Sequence, residues 1–243
     1  MHYLRLLLIA LWLLAPAVHA DERDLSRLQE IRTLGFDFAT NLLLYYAPYE
    51  KYPDPHLRQI YNDDSRRILQ LSQQLQGGKQ LSDSVLRIQA LTRELEQQPM
   101  DAMQLSYPSW LNPILEEHAR LDQTASALYA GMEPPSARTR QVNALSVLMS
   151  QLLLLYQVKA YQSLSTAALE MSDQDYGVLD GRITQALAGL DPSAFPDGKL
   201  KKLERNYGFV RTHILDATQR GAVGSVSFYL RGNIKTLSQL AGE

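Results

Sequence analysis

Apolar residues recur at intervals of three and four along most of this 243-residue chain. That interval is the period of an α-helix with one buried face. Glycine, proline and capping residues interrupt the pattern and divide it into segments. The sequence therefore predicts eight helices, at about 23–46, 56–76, 82–98, 114–131, 136–171, 173–190, 197–220 and 226–241.

The fifth segment differs from the others because it is apolar on nearly every side. Its middle reads LSVLMSQLLLLYQV (145–158), and a helix without a polar face belongs in the interior of a fold. The apolar run is too short to cross a bilayer, which needs about 20 residues. We therefore predict an all-α fold, a single helical-bundle domain of seven or eight helices around a long central helix at about 136–171.

Two shorter segments bear on the organisation of this domain. Residues 223–230 alternate as a strand would, but one strand without a partner is unstable, which favours a helix. The stretch LSYPSWLNP (105–113) contains two prolines and predicts a rigid connector. The breaks are too short to link independent domains, so we expect one domain at 21–243, in which any division into two lobes falls near 99–113.

The first twenty residues have the pattern of a cleaved signal peptide. Arg5 precedes an apolar run, Leu6–Ala15, which Pro16 closes. Val18 and Ala20 are small residues at the positions three and one before a cleavage point. An uncleaved anchor is the alternative, but this run is half the length of a spanning helix. We expect cleavage after Ala20, a periplasmic or extracellular location, and no transmembrane segment in the mature chain.

Composition excludes several classes of site. The chain has no cysteine, so it forms no disulfide, thiolate metal site or covalent haem linkage and has no cysteine nucleophile. An exported protein without disulfides depends on its hydrophobic core, and a chain of this length can form one.

Charge is distributed unevenly along the chain. Residues 21–196 contain 15 Lys and Arg against 22 Asp and Glu, whereas residues 197–243 contain 8 against 4. Cations in the first turns of the helix at 197–220 oppose the helix dipole. They predict a basic patch for an anionic partner, or, as the alternative, solvated charges balanced by the acidic remainder. The patch comprises Lys199, Lys201, Lys202, Arg205 and Arg211. Nucleic acid is not an expected partner of an exported chain with net charge −2.

Tyrosines cluster at two proline-containing breaks, LLLYYAPYEKYPDP (42–55) and 107–113. A tyrosine has a large apolar face and a polar tip, which suits both a half-buried corner and stacking against a ligand. Helical spacing does not account for Tyr49 and Tyr52. We consider two alternatives, a packing corner and a recognition surface. The recognition surface comprises Tyr46, Tyr49, Tyr52, Tyr107 and Trp110.

Candidate catalytic groups are few. Asp64 falls on an apolar stripe, where a carboxylate must pair or change its pKa, and Arg67 or an arginine of another helix is the expected partner. His56, His118 and His213 lie on different helices and are expected to be exposed or capping. The sequence contains no H-E-x-x-H, Walker or G-x-S-x-G motif. We expect no catalytic site, cofactor or metal.

These features favour an exported, non-enzymatic helical protein that binds another envelope macromolecule, as an adaptor, accessory or assembly factor. The expected partner is another periplasmic or envelope protein, or an anionic envelope surface. The alternative is a small-molecule sensing or carrier domain with a pocket between helices. A less favoured third function is a hydrolase that uses Asp64 or Glu116 and Glu117, for which two carboxylates must converge in a cleft with a raised pKa on one.

Overall fold

The computed structural model describes residues 2–48, 52–99, 106–133, 136–161, 163–169, 175–195, 198–215 and 223–241, with the backbone alone at 2–21, 194 and 223. The predicted all-α class is confirmed, since the secondary structure of these residues is entirely helical. The α-helices are α1 (His2–Tyr45), α2 (Pro55–Gln73), α3 (Lys79–Glu96), α4 (Tyr107–Ala130), α5 (Ala137–Ala160), α6 (Tyr176–Ala188), α7 (Lys199–Leu215) and α8 (Val223–Ala241). Short 3₁₀ helices follow α5 at Thr166–Leu169 and α6 at Pro192–Ala194.

The predicted length of the central helix is wrong. Helix α5 has 24 residues and ends at Ala160, whereas the sequence pattern placed its end near 171. Tyr161 is fixed at the C-cap because its hydroxyl donates to the main-chain oxygen of Leu43 and its ring contacts Tyr107. These contacts explain why the chain leaves the helix although apolar residues continue. The longest helix is instead α1, with 44 residues.

The predicted connector at 105–113 is also wrong from Tyr107 onward, because these residues form the first turns of α4. Pro108 lies in the first turn, where its missing N–H has no helical partner to lose. Pro113 lies inside the helix and removes one hydrogen bond. The burial of Leu111 and Ile114 on either side keeps the segment helical.

Helix starts follow capping chemistry more closely than they follow the apolar pattern. Asp54 accepts from the N–H of His56 at the start of α2, and Ser136 accepts from the N–H of Thr139 at the start of α5. Helix α3 begins before the predicted Ser82, directly after the turn at Gly77, whose φ of 79° favours glycine. The predicted caps Asp173 and Asp197 lie outside the described residues.

The helix contacts divide the bundle into two groups of four. In the first group α1 packs on α2, α2 on α3, α3 on α4, and α4 back on α1. In the second group α5 packs on α8, α8 on α7, α7 on α6, and α6 back on α5. The groups meet where α5 packs on α1. Along the chain, the change from one group to the next falls between α4 and α5, after Gly131.

Helix α5 has the buried position predicted for it. Every residue from Leu152 to Val158 is buried, and a single hydrophobic cluster contains side chains of α1 through α8. By length and hydropathy α5 alone among the described helices is a candidate membrane span, but 83% of its apolar window is buried by neighbouring helices. The fold therefore covers the surface that a bilayer would otherwise have to cover.

Carboxylates that are buried or half-buried join helices within each group. Glu96 at the end of α3 accepts from Tyr61 Oη at 2.7 Å and from the Arg58 guanidinium at 2.9 and 3.1 Å, which holds its pKa below the usual range. Asp180 of α6 accepts from Tyr207 Oη at 2.9 Å and from Arg211 Nε at 2.7 Å. These contacts fix α2 to α3 and α6 to α7.

We expect Asp180→Ala to lower the free energy of unfolding by about 1–3 kcal/mol, because it leaves the Tyr207 hydroxyl buried without an acceptor. Urea unfolding followed by circular dichroism measures the change. Glu204→Ala, which removes an exposed carboxylate of α7, is the control and should change stability by less than about 0.5 kcal/mol. Equal effects of the two substitutions would contradict a structural role for the Asp180 contacts.

Candidate functional site

A cleft of about 790 Å³ lies where the two groups of helices meet. Its walls come from α1, α5 and α8. Helices α1 and α8 both pack on α5, and the cleft is the space left between them. Ligand sites in proteins often lie between structural units in this way.

Each of the three helices contributes a polar stripe to the walls. The stripe of α1 contains Gln29, Thr33, Asp37 and Thr40; that of α5 contains Thr139, Asn143 and Ser150; and that of α8 contains Arg231, Lys235 and Ser238. These residues recur at steps of three, four and seven, so each set lies on one face of its helix. Apolar side chains fill the space between the stripes, including Leu25, Leu34, Leu153 and Ile234.

Arg231 closes one end of the cleft by reaching from α8 to α1. Its Nη2 donates to Asn41 Oδ1 at 2.6 Å and lies 3.3 Å from Asp37 Oδ1. Asn41 is held in place because its Nδ2 donates to the main-chain oxygen of Asp37 at 2.8 Å. This end of the cleft therefore combines a cation, a carboxylate and a fixed amide.

Asp64 of α2 lies next to this group and is 8% exposed. Burial, and then the charge of Asp37, raise the pKa of Asp64 to about 8, although Arg231 acts in the opposite direction. Burial also raises the pKa of Asp37, against the effects of Arg231 and Asn41. The single positive charge of Arg231 thus acts on two carboxyl groups, and the carboxyl of Asp64 retains its proton near neutral pH.

Of the two expected partners of Asp64, Arg67 or an arginine of another helix, the structure places the second beside it. Arg67 donates from Nε to Glu30 Oε1 at 2.8 Å, because its side chain follows the surface of the α1–α2 contact. Asp64 Oδ2 is buried without a hydrogen-bond partner. The neighbouring cation of Asp64 is Arg231, which comes from a helix more than 160 residues later in the chain.

Several polar atoms in the cleft walls have no protein partner. They are Gln29 Oε1, Thr40 Oγ1 and Arg231 Nε, all of them buried. Buried polar groups are nearly always hydrogen-bonded, and an unpaired one costs about 1–3 kcal/mol. An amide oxygen, a hydroxyl and a guanidinium N–H of wall residues therefore lie unpaired beneath the surface of the cleft.

The proposed aromatic surface is divided between the core and the exterior. Tyr46 and Tyr107 are 2% and 3% exposed and belong to the hydrophobic core, so their rings are not accessible to a partner. Trp110 is half-buried against that core, and Tyr52 is 79% exposed. Tyr49 lies outside the described residues. Tyr46 is a packing residue because it contacts Tyr45 at 4.9 Å, next to Tyr61.

The predicted basic patch is likewise only partly available at the surface. Lys201, Lys202 and Arg205 are exposed on α7. Lys199 is half-buried, and Arg211 is bound to Asp180. Arg211 therefore has a structural partner in addition to any surface role.

The histidine expectation is wrong for His118, which is buried. Its ring contacts Phe36 at 4.9 Å, both ring nitrogens are without hydrogen-bond partners, and burial lowers its pKa to about 4. Glu117 is buried and pairs with Arg120 at 2.9 Å, whereas Glu116 is exposed. The described residues contain no cluster of His, Asp or Glu that is suited to a metal ion.

Of the cleft residues, the sequence reasoning identified none, and it found only the neighbouring Asp64. The missed signal is the polar stripe on an otherwise apolar helix, most clearly Thr139, Asn143 and Ser150 in α5. A second signal is Arg231 between the apolar positions Leu230 and Ile234. Each stripe is weak alone, because polar residues on one helix face usually contact solvent.

No family model, curated protein or solved structure matches this chain.

The raised pKa of Asp64 predicts a pH-dependent stability. Between about pH 4, where an unfolded aspartate titrates, and about pH 8, the folded protein holds a proton that the unfolded chain releases. Stability therefore falls as pH rises through this window, by up to about 1.4 kcal/mol per pH unit. Asp64→Asn cannot ionise, so the variant should gain stability relative to the parent protein as pH rises.

Urea unfolding of the parent and of Asp64→Asn, at several pH values from about 5 to about 8, measures this difference. Asp63→Asn is the matched control, because Asp63 is exposed and pairs with Arg66 on the same helix. If the stability difference between parent and Asp64→Asn stays constant across that range, Asp64 does not hold the proton.

Proposed function

We propose that this protein binds a single-chain amphiphile with an anionic head in the cleft between α1, α5 and α8, and that it does so after export from the cytoplasm. The observation that carries the proposal is the shape and lining of the cleft. Its wall residues on α1 extend from Glu22 to Thr40, which is roughly 27 Å along a helix. The cleft is thus an elongated space with a volume of about 790 Å³.

The lining of the cleft favours an extended hydrocarbon chain over a peptide. An extended peptide would bring unpaired backbone groups against largely apolar walls, at a cost for each unpaired group. A hydrocarbon chain has no polar groups along its length, so it matches Leu25, Leu34, Leu153 and Ile234.

The charges at the end of the cleft near Arg231 favour an anionic head group. Arg231 and Lys235 are one turn apart on α8 and both line the cleft, and Arg231 pairs with Asp37. With the nearby Asp64 protonated, these two cations outnumber Asp37 at this end. The other carboxylates of the walls are Glu30, which pairs with Arg67, and Glu22 at the start of the α1 wall. A carboxylate head would lie next to the exposed ammonium of Lys235 and the partly exposed side chain of Arg231.

The positions of the two carboxyl groups near the cleft bear on the choice between binding and catalysis. Asp37 and Asp64 approach each other and both have raised pKa values, which is the arrangement that a hydrolase would require. Asp64, however, is not among the residues that line the cleft. The arrangement therefore supports binding better than acid–base catalysis.

Export is compatible with this site because the cleft begins at Glu22, after the predicted cleavage point. Removal of residues 1–20 would start α1 at Asp21, Glu22 and Asp24. Acidic residues in a first turn stabilise a helix by interaction with its dipole. The mature helix would thus begin with favourable charges and retain the whole cleft.

Binding of 11-(dansylamino)undecanoic acid, below its micelle concentration, tests the amphiphile. We expect its fluorescence to rise on binding and Thr33→Trp to weaken binding at least tenfold, because the indole occupies the cleft. Thr124→Trp is the matched control, a half-buried threonine of α4 outside the cleft, and should bind as the parent does. Equal affinity of Thr33→Trp and the parent would refute binding in this cleft.

Competition by dodecanoate and by dodecanol tests the head group. Lys235→Ala removes an exposed cation of the cleft, so it should weaken dodecanoate several-fold and leave dodecanol unchanged. A variant that weakens both ligands equally would show that the head is not recognised by its charge.

Mass spectrometry of the protein from a periplasmic extract tests export separately. We expect a mature chain that begins at Asp21. Ala20→Phe should block this cleavage and leave the full-length chain with the membranes, because a large residue does not fit the position before the cut. Uncleaved parent protein in the cytoplasm would contradict export without affecting the ligand proposal.

A further inference from the structure

An exposed aromatic cluster lies at the junction of α7 and α8, away from the cleft. Phe228 is 73% exposed and Phe209 is 40% exposed. Tyr229 joins them, with its ring 5.4 Å from that of Phe228 and 4.6 Å from that of Phe209. His213 contacts the other side of Phe209 at 4.6 Å. These rings form a continuous surface, unlike the isolated apolar side chains that are common on proteins.

A row of cations leads along α7 to this cluster. Lys201, Arg205 and Phe209 follow one another at intervals of four residues, so they lie along one face of the helix. Lys202 is exposed beside them. The surrounding segment from 197 to 243 is the basic part of a protein that is otherwise acidic.

We propose that this face of α7, together with the start of α8, docks on an anionic phospholipid bilayer. Phe228 and Phe209 enter the interface between head groups and acyl chains, where aromatic side chains are favoured. Lys201, Lys202 and Arg205 remain at the level of the phosphates and contact them electrostatically. Long basic side chains can reach head groups while their apolar stems stay near the rings.

The combination of rings and cations distinguishes a bilayer from other anionic partners. A soluble anionic polymer would contact the lysines but would gain nothing from the exposed ring of Phe228. A bilayer surface uses both, because apolar burial and charge attraction both contribute to interfacial binding. The proposal does not depend on the cleft, since Lys201, Phe209 and Phe228 do not line it.

Co-sedimentation with vesicles of phosphatidylglycerol and phosphatidylcholine tests the docking. We expect binding at about 0.1 M salt and its loss at about 1 M salt, where the screening length falls from about 10 Å to about 3 Å. Vesicles of phosphatidylcholine alone should bind much less protein. Lys201→Glu should weaken binding to the anionic vesicles about fivefold or more, and Phe228→Ser should weaken it to a similar extent.

Matched controls come from α3, which belongs to the first group of helices, whereas the docking face belongs to the second. Arg93→Glu makes the same change of charge at an exposed position, and Leu86→Ser removes an exposed apolar side chain that is 49% accessible. Both controls should bind vesicles as the parent does. Thermal melting of all four variants should match the parent, because each changed side chain is exposed.

A Phe228→Trp variant gives a direct readout of insertion. Its added emission should shift to shorter wavelength when anionic vesicles are present, as the indole leaves water. Absence of that shift, equal binding to neutral vesicles, or equal losses in the α3 controls would overturn the proposal. Binding to polyglutamate that is as tight as binding to vesicles and insensitive to Phe228→Ser would instead assign the cations to a soluble polymer.

Discussion

A helix that is apolar on nearly every side must be surrounded, and α5 is surrounded by helices from both halves of the chain. It contacts α1 from the first group and α6 and α8 from the second. Six of its buried side chains are leucines: Leu145, Leu148, Leu152, Leu153, Leu154 and Leu155. Their burial contributes on the order of 10 kcal/mol, which is comparable to the whole net stability of a domain. Neither group of helices can leave α5 without exposing part of that surface.

The same constraint produces the cleft. Helices α1 and α8 both approach α5, but a cylinder of about 10 Å diameter cannot be covered by two straight neighbours without a gap between them. The gap is where the polar residues of α5 are found, including Asn143 and Ser150. Arg231 bridges the gap at one end, so the space stays open along its length and closed at that end. Thus the packing of a core helix generates a concave site without any loop.

The sequence was sufficient for features that depend on local pattern. Apolar periodicity identified the eight α-helices of the described residues and the buried position of α5, because a helix with one buried face has an apolar residue every three or four positions. It did not find the end of α5, since Tyr161 stops the helix through contacts with α1 and α4 that are more than 50 residues away. The prediction of a connector at Tyr107–Pro113 was wrong because two prolines suggest a break, whereas neighbouring core residues keep the segment helical.

The candidate site was less predictable for a related reason. Asp64 was recognisable as a carboxylate on an apolar face, but its neighbours Asp37 and Arg231 come from helices far away in the sequence. A polar stripe on α8 has the same appearance whether it faces solvent or a cleft. Only the arrangement of α1, α5 and α8 around one another decides between these two cases. Phe209 and Phe228 show the converse case. A phenylalanine on a helix predicts burial, and only the folded structure reveals that these two rings are exposed.

The unequal charges beside the cleft fit an anionic ligand only if Asp64 is neutral. With both carboxyls ionised, Asp37 and Asp64 would balance Arg231 and Lys235, and a carboxylate head would gain no net attraction. Burial avoids this outcome because it raises the pKa of Asp64 to about 8, so that the proton remains on the buried carboxyl at neutral pH. Asp37 then serves to orient Arg231 together with Asn41, and the exposed ammonium of Lys235 remains available in the cleft. The buried acid thus sets the charge of the site without contacting the proposed ligand.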